Sequence, residues 1–113
     1  MLYTEFTAGN KDYKLRLNTR NLVSLEQKLG CNPLSIFGDS GETIPTVSTM
    51  VTILHASLQQ YQHGIDLNAA YGIFDDWIED GNTMINFVEV ILDIYKVSGI
   101  IPKDEETDET EKN

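Results

Sequence analysis

The chain has 113 residues and a formal net charge of −10, from 18 acidic and 8 basic residues. That length suits one domain with a single core, and a hydrophobic fraction of 41% is ordinary for a globular protein. One cysteine, Cys31, excludes an internal disulfide, and its expected role is a small buried or half-buried apolar residue.

The distribution of charge says more than its sum. Five of the eight basic residues precede Gly30, and none lies between Cys31 and Tyr95, a span that holds nine acids. Phosphate neutralisation by Lys and Arg supplies most nucleic-acid affinity, so this pattern argues against DNA, RNA or an anionic membrane surface as partner. No N-terminal hydrophobic segment reads as a signal peptide and no run approaches the roughly 20 apolar residues of a membrane helix, so the expectation is a cytoplasmic protein.

Taken in chain order, residues 2–7 and 12–17 read as the arms of a hairpin. Tyr13, Leu15 and Leu17 alternate with Lys14 and Arg16, the period of a half-buried strand, and Gly9-Asn10 suits a two-residue turn in which both positions take φ > 0. A lone hairpin is marginal in water, so it must lie on helices or gain strands from another copy. Asn18 or Thr19 then caps a helix from Thr19 to Leu29, with Leu22, Leu25 and Leu29 on one face and Gly30 at its end. Asn32-Pro33 opens a short second helix that stops at Gly38. After a loop over 38–45, Thr46 caps a long third helix to about Gln62, whose expected buried stripe is Val47, Met50, Val51, Leu54, Leu58 and Tyr61. Asp66 caps a fourth helix to about Asp80, with Leu67, Ala70, Tyr71, Phe74 and Ile78 as its stripe.

The fifth helix, Thr83 to Val97 with Asn82 as cap, is apolar around most of its circumference. Asn86, Glu89, Asp93 and Lys96 make only a narrow polar strip. Such a helix is either central in its own bundle or buried against another chain; in the second case Phe87, Val90, Ile94 and Val97 are the candidate partner-binding residues. From Pro102 onward no apolar residue follows, while six acids and two lysines do, which predicts a disordered acidic tail over 102–113. The fold expected is mainly α: a compact bundle of four to five helices over residues 1–101 with an N-terminal β-hairpin within 2–17.

Residues that could carry chemistry fail on spacing. His55 and His63 are eight positions apart on different faces of one helix, so they cannot share an ion, and with a single cysteine no zinc site is expected. A calcium loop starting at Asp76 would need an oxygen ligand at its third position and a bidentate Glu at its twelfth; those are Ile78 and Phe87. Asp39-Ser40-Gly41 lacks the leucine of a carrier-protein serine motif. The acids Asp75, Asp76, Glu79 and Asp80 read as a solvated face with no apolar cover to raise a pKa. Glu26, at the edge of the first helix's buried stripe, is expected to be partly buried and to need an N-terminal Arg or Lys partner, a structural role. No catalytic, cofactor or metal residue is assigned, and no enzymatic activity is expected.

The run Tyr13–Phe37, with Leu25-Glu26-Gln27-Lys28-Leu29-Gly30-Cys31-Asn32-Pro33-Leu34 at its centre, resembles the tail assembly chaperones of long-tailed, siphovirus-type phages and prophages of Gram-positive bacteria. Further matching segments follow in order: Pro45-Thr46-Val47 through Leu58, Ala70-Tyr71 with Phe74-Asp75-Asp76, and Ile94-Tyr95-Lys96-Val97-Ser98-Gly99. The resemblance covers nearly all of residues 1–101, and the segments that carry it are packing and capping motifs. The resemblance implies a non-enzymatic protein of the host bacterial cytoplasm, absent from the mature virion. It implies binding and solubilising the tape measure protein and helping to recruit tail tube protein. Binding along a long client also suggests a homo-oligomer, through an edge strand of the hairpin or the flank of the fifth helix. The competing reading is an acidic adaptor or nucleic-acid-mimicking inhibitor, which needs the acids at 75–80 and 104–111 to form one dense exposed field.

Overall fold

A computed structural model describes residues 2–103; the acidic run 104–113, where most of the expected tail falls, lies outside the described residues. The fold is a two-stranded antiparallel hairpin, β1 (Thr4–Ala8) and β2 (Lys11–Leu15), followed by α1 (Thr19–Leu29), a 3₁₀ helix (Pro33–Phe37), α2 (Val47–Leu58), α3 (Leu67–Glu79) and α4 (Asn86–Val97).

Gly9 and Asn10 both take left-handed conformations, φ 58° and 67°, which fits a tight two-residue turn matched to the strand twist. The strands pair in the register Thr4 with Leu15 through Ala8 with Lys11. Pairing is shorter at its open end than the alternation suggests. Beyond Leu15 the backbone leaves β1, as Arg16 donates its N–H to the Ser57 carbonyl and Leu17 to Ser98 Oγ.

Helix starts follow the expected caps. Asn18 Oδ1 accepts from Asn21 N–H, Thr46 Oγ1 from Thr49 N–H and Asp66 Oδ1 from Ala69 N–H, each satisfying a donor that has no partner within the helix. Gly30, left-handed at φ 71°, closes α1 by donating its N–H to the Glu26 carbonyl. The start of α4 differs from expectation. Asn82 is not its cap; its side-chain amide donates to the Trp77 carbonyl and finishes α3 instead. Regular helix begins only at Asn86, after a reciprocal pair in which Thr83 N–H donates to Asn86 Oδ1 and Asn86 N–H to Thr83 Oγ1. The third predicted helix likewise ends at Leu58 rather than Gln62, the chain turning through 59–62 before left-handed Gly64.

The central element is α2. Met50, Val51, Ile53, Leu54, Ala56, Ser57 and Leu58 are all buried, which is most of its circumference, because α1 and α3 flank it and β2 and α4 also meet it. The expected stripe omitted Ile53, Ala56 and Ser57 and included Val47 and Tyr61, which lie exposed at the ends of this segment. On α3 the buried face is Ala70, Ile73, Phe74 and Trp77, rotated from the expected one, so Leu67 and Tyr71 face solvent. The rotation follows the hairpin: Phe6 stacks on Trp77 with ring centroids 5.6 Å apart, while Phe87 closes edge-on against Phe6, Phe74 and Trp77.

Candidate interaction surface

Two of the four α4 residues expected to meet a partner are core residues. Phe87 and Ile94 are 0% exposed, Phe87 as the hub of the ring cluster, so neither presents a surface. Val90 and Val97 are half-buried, and Val90 packs against the same core. The apolar character of α4 is therefore largely internal: Phe87, Ile91, Ile94 and Tyr95 recur at helical spacing and point inward, while Met84 and Ile85 fall in the preceding turn and are exposed.

Arg16 is a residue whose role the sequence pattern did not reveal. Its Nη1 donates to the Val97 carbonyl at 2.7 Å and to the Leu2 carbonyl at 2.8 Å. It thus places a positive charge at the C-terminus of α4, where the helix dipole favours one, and ties down the chain ahead of β1. The expectation for Glu26 is corrected: its side chain is exposed, and Leu25 beside it fills the core. Cys31, expected to be buried, is exposed too. It sits near Tyr95, whose hydroxyl donates to the Pro33 carbonyl at 2.9 Å; burial first, and the neighbouring thiol second, push the phenol well above its ordinary range.

The histidines do not come together. His63 is exposed, whereas His55 is half-buried with Nδ1 3.5 Å from Lys28 Nζ. Burial, and then the Lys28 charge, hold its pKa below the ordinary value. Among the described residues no group of three His, Cys, Asp or Glu side chains is placed to hold a metal ion. No helix among them is long and apolar enough to cross a membrane.

Asp75, Asp76, Glu79 and Asp80 are all exposed, and two of them meet the hairpin tip. Asp80 Oδ2 accepts the Gly9 N–H at 2.9 Å, and Asp76 lies against Gly9 and close enough to Tyr13 to raise its phenol pKa, after burial. Next to this acidic stretch, Leu67 and Tyr71, one turn apart on α3, are 42% and 45% exposed. Lys14 on β2 lies over the Tyr3 ring at 5.0 Å and the Tyr61 ring at 5.9 Å, a cation held by two aromatic faces.

The family model for a family of unknown function, DUF6096, matches residues 4–113. The chain belongs to that family. The match runs from the first strand through the acidic C-terminal run, so it takes in the hairpin, the helices and residues 104–113. Neither the curated proteins nor the solved structures gave a match.

Proposed function

We propose that this protein is a non-enzymatic phage tail assembly chaperone of the bacterial cytoplasm, binding and solubilising a tape measure protein and helping to recruit tail tube protein. The observation that carries this reading is the pairing of exposed apolar side chains with a strongly acidic surface. Leu67 and Tyr71 stand open on α3, the latter one turn before Asp75, Met84 and Ile85 are exposed ahead of α4, and the chain carries a charge of −10. A holdase needs that combination: apolar area to cover a client's apolar stripe, and like charge to keep the complexes apart in solution. The ordered resemblance along residues 1–101 names the client. Val90 and Val97 are half-buried on α4 and offer further partly exposed apolar area, whereas Phe87 and Ile94 are core residues.

A second reading, an acidic adaptor or nucleic-acid mimic, is favoured by the exposure of all four acids from Asp75 to Asp80. Salt separates the two. Purified protein titrated with tape measure fragments should bind almost as well at about 0.5 M salt as at about 0.1 M if apolar contact dominates, because screening acts on charges and not on burial. Binding that collapses over that range supports the adaptor. Replacing Leu67 and Tyr71 together by Ser should weaken the salt-resistant binding while leaving helicity unchanged.

A further inference from the structure

The two edges of the hairpin are unlike. In a two-residue hairpin closed by Ala8 and Lys11, the backbone groups of Asp12, Lys14 and Arg16 point away from β1, and those of Glu5 and Thr7 point away from β2. On the β2 side Lys14 and the Arg16 N–H are covered, while the N–H and C=O of Asp12, beside the turn, have no hydrogen-bond partner among the described residues. The Gln62 side-chain amide bonds Lys14 as a third strand would, Oε1 accepting its N–H at 2.7 Å and Nε2 donating to its carbonyl at 2.9 Å. The next outward N–H, of Arg16, is taken by Ser57. On the β1 side, the N–H and C=O groups of Glu5 and Thr7 have no hydrogen-bond partner among the described residues. Both side chains are exposed, and neither Pro nor Lys protects the strand.

We propose that β1 pairs antiparallel with β1 of a second copy of this chain about a two-fold axis at Phe6, making a four-stranded sheet in the order β2-β1-β1-β2. Two features select a second copy over an unrelated strand. The open groups are reciprocal: Glu5 of one copy faces Thr7 of the other, both narrow pairs form together, and no like charges stand directly opposite. The result also leaves only the short stretch at Asp12 open on each outer strand, since Gln62 and Ser57 already take Lys14 and the Arg16 N–H. An added foreign strand would expose a new edge of its own. Leu2, 67% exposed and the most exposed large hydrophobic of the described chain, precedes β1 and in this register reaches toward the partner's turn. The proposal is independent of any client.

Register-specific cross-linking of the full chain tests it. With Cys31→Ser removing the exposed native thiol, Glu5→Cys and Thr7→Cys proteins are oxidised separately and mixed. The mixture should yield a disulfide-linked dimer. Each protein alone should not, because equal positions lie two residues apart along the strands, roughly 8 Å and beyond disulfide reach. Analytical ultracentrifugation of the unaltered chain from micromolar to millimolar concentration should show a monomer–dimer equilibrium. Thr7→Pro, which removes the outward N–H at a position where an edge strand tolerates proline, should abolish it with helicity unchanged. A monomer throughout, a dimer that survives Thr7→Pro, or a mixture that cross-links no better than its components would overturn the proposal.

Discussion

Gly9 and Asp80 are 71 positions apart and joined by one hydrogen bond, backbone N–H to carboxylate, at 2.9 Å. The contact pins the hairpin tip to the end of α3, and the Asp76 side chain leaves little room for a Cβ at the turn position that makes it. Gly9 has φ +58°, and a Cβ there would lie 2.9 Å from Asp76 Oδ2. Gly9→Ala is expected to destabilise the fold by about 1–2 kcal/mol from the left-handed conformation alone. Asp80→Ala should cost about 1 kcal/mol, the net worth of one hydrogen bond. In the double variant the two losses should fall short of their sum by whatever the added Cβ, in meeting Asp76, takes from the contact with Asp80. Urea unfolding of the four proteins checks this.

The ring cluster gives a second prediction. Phe87 is fully buried between Phe6, Phe74 and Trp77, so Phe87→Ala should cost about 3–5 kcal/mol in stability. Val90→Ser, half-buried on the same helix, should cost much less. Thermal unfolding followed by Trp77 fluorescence, the chain's one tryptophan, reads both directly. Equal and small losses would put Phe87 back on the surface.

Tyr95 predicts a local effect. Its hydroxyl donates to the Pro33 carbonyl inside the core and ties α4 to the 3₁₀ helix. Tyr95→Phe keeps the ring and leaves that carbonyl without its partner, a loss of about 1 kcal/mol. In an alkaline absorbance titration Tyr95 should ionise well above the ordinary tyrosine range, since burial pushes its phenol up.

The pH dependence of stability should carry a contribution from His55. Its folded pKa lies below the ordinary 6.5, so between the two values the unfolded chain binds the extra proton. Stability from this group is complete above about pH 6.5 and is lost as pH falls toward the folded pKa. Thermal midpoints measured downward from neutrality should therefore fall, and His55→Gln should flatten that part of the curve. A curve unchanged by the substitution would mean that the imidazole is as well solvated folded as unfolded.

Much of the architecture was legible in the sequence because its signals are local. Gly9-Asn10 can hardly be anything but a tight turn, and Asn18, Thr46 and Asp66 cap helices wherever an apolar stripe follows. What was not legible depends on neighbours distant in sequence. On α3, the stripes 67-70-71-74-78 and 70-73-74-77 both have helical spacing, and only the hairpin lying on Trp77 decides between them. For α4, an apolar circumference did not distinguish a helix packed in its own core from one facing a partner; Phe87 and Ile94 turned inward. The central position of α2 was hidden because Ile53, Ala56 and Ser57 fall off the single apolar stripe, and two of them are small residues that read as neutral until neighbouring helices cover them. Arg16 gave no local sign that it would reach the end of α4, 81 positions on.

The central claim, that the apolar surface of this acidic protein keeps a tape measure protein soluble, is tested most directly by co-expressing it with the tape measure protein encoded nearest to it. The complex is then purified in about 0.1 M and about 0.5 M salt. The account predicts a soluble complex that survives the higher salt and is weakened by the Leu67 and Tyr71 replacements. A client that stays insoluble, or a complex that dissociates at the higher salt, would contradict it.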